Sequence, residues 1–429
     1  MVSSTVIVIP NEEDEGCNNI KQRSMPRPRP RQRHAKLIHS AKVGSALLLA
    51  SLLLYLLDPV YTRFRDRSMW ALITIVVIFE LSAGATLEKG LNRLAGTVLG
   101  GGLGSLAAIL ADEAGGNVGN AIVTATSVFI FGAVVSYCRM APSIKRRYDY
   151  GATIAILTFN LAVVAGIRTN QVIEIARDRL STVAIGLAVC IATSLLVFPI
   201  WSSDELHYST AANFEKLGHC IQECLEEYFH VMDEDGITSC QSVMYSKSKD
   251  ESLANFARLE PWHGKFGFSH PWDKHLQIGG RIRELAAIVI TLRKCLRSFK
   301  QPSSRSREWM KEPCGAVGSA MASIMGELGE SVRKMERCKA QHLINASKLQ
   351  SIKVELIALT AMVASSSVPD CCKLQEEEAA AASDDQKNGS AEGIAMAASF
   401  LFLLLQIAEK MEVLAKDVEE LGELAGFRT

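Results

Sequence analysis

Apolar residues run almost unbroken through six windows of the first 203 residues: 37–57, 69–87, 91–111, 118–137, 150–167 and 180–200. Polar residues do not recur at every third or fourth place in them, as they do on a helix half-buried in a water-soluble core. Each window approaches the ~20 residues that cross a bilayer as a helix. The last three contain no Asp, Glu, Lys or Arg, while the first carries Lys42, the second Glu80 and the third Arg93. The pattern predicts six membrane-spanning helices. After residue 203 the chain reads as largely helical, with helices expected at 211–231, 281–299, 312–337, 341–364 and 393–425, of which 281–299 is clearly amphipathic. In the second of these, Ile282, Leu285, Ile288, Val289 and Leu292 fall on one face. The apolar run 394–407 is too short for a span and passes into charged helical spacing from Glu409, so it is expected as a buried helix of a soluble part.

The predicted fold is all-α: a six-helix transmembrane domain over 36–203, then a helical cytosolic domain over 204–429. Residues 1–35 hold an acidic run at 12–15 and a Pro/Arg alternation from Pro26 to Arg33 that favours extended backbone. They are expected to be a disordered cytosolic tail whose basic end lies near anionic headgroups. No secretory signal peptide is expected, because the first apolar run follows this polar tail and is too long for an h-region. An acidic, Ala-rich stretch at 376–390 is expected to be a mobile linker.

Composition agrees with a divided chain. At 48% hydrophobic and 21% charged residues, the chain is too apolar for an ordinary soluble protein and too charged for one embedded throughout. The net charge of zero hides an asymmetry, with 20 basic against 13 acidic residues up to 203 and 26 against 33 beyond it. With the N-terminus in the cytosol, twelve basic residues fall on the inner side (among them Lys36, Lys89, Arg139 and Lys145–Arg147). Six fall on the outer side: Arg63, Arg65, Arg67, Arg168, Arg177 and Arg179. That bias orients both termini to the cytosol. Trp70 and Trp201 stand at span ends, where interfacial aromatics belong.

Several functional classes find no support. No domain-scale basic surface with interleaved aromatics suggests nucleic-acid binding. The eleven cysteines are scattered without a C-x-x-C pair and read as reduced thiols. His263, His270 and His275 lie in a Pro/Gly-rich segment, where surface or packing roles are expected and a metal site is not. With no G-x-S-x-G, H-E-x-x-H or Walker pattern, neither an enzyme nor a cofactor is predicted.

The charged residues near the membrane carry the candidate chemistry. Basic side chains left at a pore mouth raise the local anion concentration and offset the cost of dehydrating a permeant anion. The structural alternative for the outer arginines is headgroup contact and pairing with Asp58, Asp66, Glu174 and Asp178. Lys42 and Arg93 are near enough to the cytosolic ends of their spans to snorkel. Glu80, nearer the middle of its window, is expected to pair with a basic residue inside the bundle or to mark a pathway. Gly96, Gly100 and Gly104 form a doubled GxxxG face for close helix packing.

Trp70 to Arg93, including Glu80 and Lys89, resembles the second span of the plant aluminium-activated malate transporter family. So do Tyr148-Asp149-Tyr150-Gly151 and Phe198-Pro199-Ile200-Trp201 at the ends of later spans. Glu260-Pro261-Trp262-His263-Gly264, followed by Pro271-Trp272, is similar to the family's Trp-Glu-Pro motif, with Leu259 in place of its Trp. The resemblance covers roughly residues 36–300. It implies a homodimeric anion channel in the lipid bilayer, with six spans per subunit, passing malate and inorganic anions such as chloride, nitrate or sulfate. It also implies basic pore residues, matched here by Lys42, Lys89, Arg93 and Arg168, with Arg179 matching an arginine that is pore-lining or structural. Phe214 falls about where some members carry an aromatic regulatory motif. Plasma-membrane and vacuolar members share these motifs; the plasma membrane is favoured. The alternatives are a proton-coupled exporter of organic or aromatic acids, with Glu80 as its proton site, and a membrane-anchored scaffold.

Overall fold

A computed structural model describes residues 30–57, 69–168, 172–229, 237–298 except Lys265, Phe268 and Ser269, 304–365 except Cys338, and 384–428. Among the described residues there are fourteen helices, and the only β pairing is two isolated bridges. The first seven helices are α1 (Pro30–Leu57), α2 (Met69–Ile78), α3 (Ala83–Glu113), α4 (Gly116–Met140), α5 (Pro142–Arg147), α6 (Asp149–Arg168) and α7 (Val172–Leu196). The rest are α8 (Ser202–Phe229), α9 (Ile237–Met244), α10 (Lys247–Ala257), α11 (Trp272–Ser298), α12 (Ser304–Lys334), α13 (Lys339–Ser365) and α14 (Asp384–Leu424).

Five of them, α1, α3, α4, α6 and α7, are long and apolar enough to cross a membrane. The expected second span is the exception. Helix α2 has ten residues, about 15 Å at 1.5 Å per residue, half the ~30 Å hydrocarbon thickness. Its window breaks because polar residues organise a turn there. Ser82 caps α3 by accepting a hydrogen bond from the Ala85 amide (3.3 Å), and the Thr86 hydroxyl accepts from the Glu80 amide (3.0 Å). Residues 83–90, expected partly in span two and partly in a loop, therefore form the first turns of α3.

Close backbone approach organises the membrane bundle. The Gly96–Gly100–Gly104 face of α3 lies on α6: a Cβ at Gly96 would stand 2.3 Å from the Gly151 carbonyl oxygen, and one at Gly100 2.2 Å from that of Ala155. Beside it, Phe131 of α4 stacks on Phe159 of α6 with centroids 4.1 Å apart. A second cluster joins Ala46 and Ala50 of α1, Ile75 and Ile78 of α2, and Leu187 and Cys190 of α7. Helix α4 turns Val118, Ile122, Phe129 and Tyr137 outward, as a helix facing lipid or an apolar partner does.

Helices α8 to α14 share one core, in which Leu217 and Ile221 of α8, Leu285 of α11, Met321 and Ile324 of α12 and Leu404 of α14 are buried. Leu401, Leu404 and Ile407 place the 394–407 run inside this core. The expected helices appear with longer bounds, and α12 passes through Pro313. Two further helices, α9 and α10, fill the stretch before Glu260. Of the expected extended tail, residues 30–33 open α1, with Pro30 at its first position, where the missing amide proton costs no helical bond. Residues 384–390 of the expected linker are helical in α14. The rest of both segments, 1–29 and 376–383, lies outside the described residues.

Candidate functional site

Three helices each bury one cation in the membrane bundle: Lys42 of α1, 0% exposed, Arg93 of α3, 4%, and Arg179 of α7, 5%. Lys42 and Arg93 thus do not snorkel. The Arg93 guanidinium donates through Nη1 to the Tyr150 hydroxyl (2.9 Å), and Arg179 lies 4.0 Å over the ring of Trp70. Arg93 is near enough to act on Arg179 as a like charge. Yet Lys42 Nζ, Arg93 Nε, and Arg179 Nε and Nη1 have no hydrogen-bond partner among the described residues, and none of the three is in an ion pair there. Buried donors of unpaired cations are a strong demand for an anion, since an uncompensated charge in a low-dielectric interior costs several kcal/mol.

The other candidates are held differently. Lys89 Nζ pairs with Glu80 Oε1 at 2.5 Å, and both side chains are half-exposed. Glu80 lies in the break between α2 and α3, where the apolar window does not continue as helix. Helix α6 ends at Arg168, whose side chain lies outside the described residues, as do Arg63, Arg65 and Arg67. Phe214 is fully buried, and a Cβ at Gly329 of α12 would stand 2.9 Å from its own Cβ.

Glu260 has a definite place. Its buried carboxylate sits where the first turns of α3 and α8 converge. Oε1 accepts from the amides of Gly84 (3.2 Å) and Ser202 (2.6 Å), and Oε2 from the Ser203 amide (3.1 Å) and hydroxyl (2.7 Å). Unpaired amides at two helix N-termini form a natural carboxylate site. The junction is closed by Ser202 Oγ donating to Ser82 Oγ (2.6 Å) and by the Ala83 amide donating to the Ile200 carbonyl (3.0 Å). His263 Nε2 stands 2.9 Å from Ser203 Oγ, and its ring stacks on Trp201 with centroids 3.7 Å apart. Trp201 therefore packs on protein, and the strained Phe198 (φ +44°) makes the turn from α7 into α8. Sequence reading missed Ser82, Gly84, Ser202 and Ser203. Ser202-Ser203 before Asp204-Glu205 is a helix-start signature that identifies the end of a helix but not what docks on it.

The remaining histidines pack together. His270 Nε2 lies 3.1 Å from His275 Nε2, with His207 and Phe266 around them. Burial, with His207 beside it, pushes His270 down to about 4 and His275 well below its ordinary value. Among the described residues no three His, Cys, Asp or Glu side chains converge as a metal site.

The profile of the family described as aluminium activated malate transporter matches residues 30–395. Among curated proteins, aluminum-activated malate transporter 14 of Arabidopsis thaliana is 38% identical over 337 residues, which is 76% of this chain and 61% of that protein. Transporter 10 of the same plant is 31% identical over 416 residues, 92% of this chain and 83% of that protein. Transporter 1 of Triticum aestivum is 33% identical over 350 residues, covering 76% and 75%. Against the first of these relatives the chain spans about three fifths of the length.

Proposed function

Since the chain belongs to the aluminium-activated malate transporter family, we propose that it is a passive, voltage-dependent anion channel conducting malate and inorganic anions. The observation that supports this most directly is the set of buried, unpaired cations Lys42, Arg93 and Arg179. A permeant dianion sheds part of its hydration against such groups, and it leaves because the sites are several and each is weak. Moving one charge through the full field involves about 2.3 kcal/mol per 100 mV, so charged groups on the spans give voltage a handle. Arg168 is proposed to complete the pathway at the outer end, and Lys89 at the inner end.

In this reading α2 contributes the sixth membrane segment, α8 to α14 form a cytosolic domain, and two subunits assemble in the plasma membrane. The exporter alternative requires a proton site at Glu80. Lys89 Nζ pairs with Glu80 Oε1 at 2.5 Å, so this acid is already engaged in an ion pair, which favours the channel.

Voltage-clamp recording, with malate, chloride and nitrate exchanged on each side, tests the proposal. A reversal potential that follows the anion gradient and ignores pH is expected, with reduced current in Arg168→Gln at normal surface expression. Flux that follows the proton gradient without resolvable channel current counts against it.

A further inference from the structure

Three buried cysteines take no part in the proposed conduction. Cys220 and Cys224 stand one turn apart on α8, and Cys240 comes from α9. Cys220 and Cys240 are buried in one core and face one another closely enough for each thiol to act on the other, with Cys224 also near enough to act on Cys240. Cys220 and Cys240 are 4% and 3% exposed, yet both line a cavity of about 330 Å³ whose other walls include Tyr245, Val289, Arg293 and Lys294. The sulfurs are therefore shielded from bulk solvent but open to a pocket that admits a small molecule, next to two cations.

The two thiols are not equivalent. The adjoining Cys240 thiol holds Cys220 below the usual thiol range, assisted by Arg293 and Lys216, and outweighs burial and the nearby Glu223. The same pairing, with burial, pushes Cys240 up. The thiolate is the reactive form, so Cys220 is the nucleophile and Cys240 the thiol that follows.

We propose that Cys220 and Cys240 form an oxidisable dithiol that takes hydrogen peroxide in this cavity and closes reversibly to a disulfide tying α8 to α9. In the first step the Cys220 thiolate attacks one peroxide oxygen. The O–O bond breaks, hydroxide leaves and is protonated to water, and Cys220 becomes a sulfenic acid. In the second, the Cys240 sulfur, giving up its proton, attacks the Cys220 sulfur. The S–O bond breaks, and the departing hydroxyl takes that proton and leaves as a second water. Peroxide is reduced by two electrons and the thiol pair is oxidised by two. In a reducing compartment such a pair returns to the dithiol when peroxide falls, which is the behaviour of a sensing disulfide and not of a structural one.

The test uses the full chain in lipid nanodiscs, exposed to hydrogen peroxide, alkylated, digested and analysed by mass spectrometry. A Cys220–Cys240 linked peptide, reversed by dithiothreitol, is expected, with Cys220 consumed about tenfold faster than the exposed Cys138. Cys240→Ser is expected to leave a sulfenic acid at Cys220 that dimedone captures. A predominant link through Cys224, or Cys220 reacting no faster than Cys138, overturns the proposal. Because both readouts come from the unmutated chain, misfolding of a variant leaves the test intact.

Discussion

The carboxylate of Glu260 lies 2.6 Å from the amide of Ser202, at the first turn of the helix that follows the last membrane span, while the same oxygen also accepts from Gly84 at the start of α3. One side chain thereby joins the loop after α10 to two helices that continue from or into the bundle. Each bond is charge-assisted and largely screened from water, so the clamp is a rigid connection between the two halves of the chain.

Glu260→Gln removes the charge and leaves one acceptor oxygen where two now serve four donors. A destabilisation of about 2–4 kcal/mol is expected. Thermal unfolding of the purified protein measures it, and limited proteolysis between α7 and α8 should quicken in the variant. An unchanged unfolding temperature would mean that the carboxylate is not what holds the junction.

Gly84 is expected to tolerate no side chain, because a Cβ there would stand 2.4 Å from the Phe256 carbonyl oxygen and 2.9 Å from Glu260 Oε1. Alanine favours a helix over glycine by ~1 kcal/mol, so a net loss in Gly84→Ala must come from displaced docking, which costs about 1–3 kcal/mol. Gly102→Ala, with open space around its site, serves as the control and should be neutral or stabilising. Unfolding temperatures of the two variants, compared side by side, check this.

Lys42→Met separates stability from conduction. Removing an unpaired buried charge should stabilise the fold by on the order of 1–4 kcal/mol, while the anion current falls. Paired measurements of detergent unfolding temperature and whole-cell current decide it. A variant that loses stability and current together would identify Lys42 as a structural cation.

His270 gives the protein a defined acid sensitivity. Its folded value of about 4 lies below the ordinary ~6.5, so the unfolded chain binds the extra proton first. The stability linked to this group is complete above pH 6.5 and is lost as pH falls towards 4, on the order of 2–3 kcal/mol. Unfolding temperatures between pH 7.5 and 4.5 should therefore fall more steeply in the unmutated protein than in His270→Gln. Parallel curves would show that other groups carry the acid response.

The apolar windows by themselves determined that this is an all-helical protein with membrane-crossing segments followed by amphipathic helices, since the period of burial is written residue by residue into the chain. They also marked Gly96, Gly100 and Gly104, because small residues four apart leave a groove on any helix. What they did not determine was where an apolar stretch stops being a helix. Glu80, Ser82 and Thr86 form a turn by local bonds, and Ser82 is further held by Ser202, a residue 120 positions away. Nor did they reveal that Lys42 and Arg93 turn inward and Trp201 packs against His263, since the direction of a side chain depends on which helix stands beside it. Glu260 was visible only as part of a resemblance. Its role as a clamp exists only once two distant helix starts are brought to the same place, because the amides it binds are ordinary backbone that every residue possesses and only the tertiary fold exposes together.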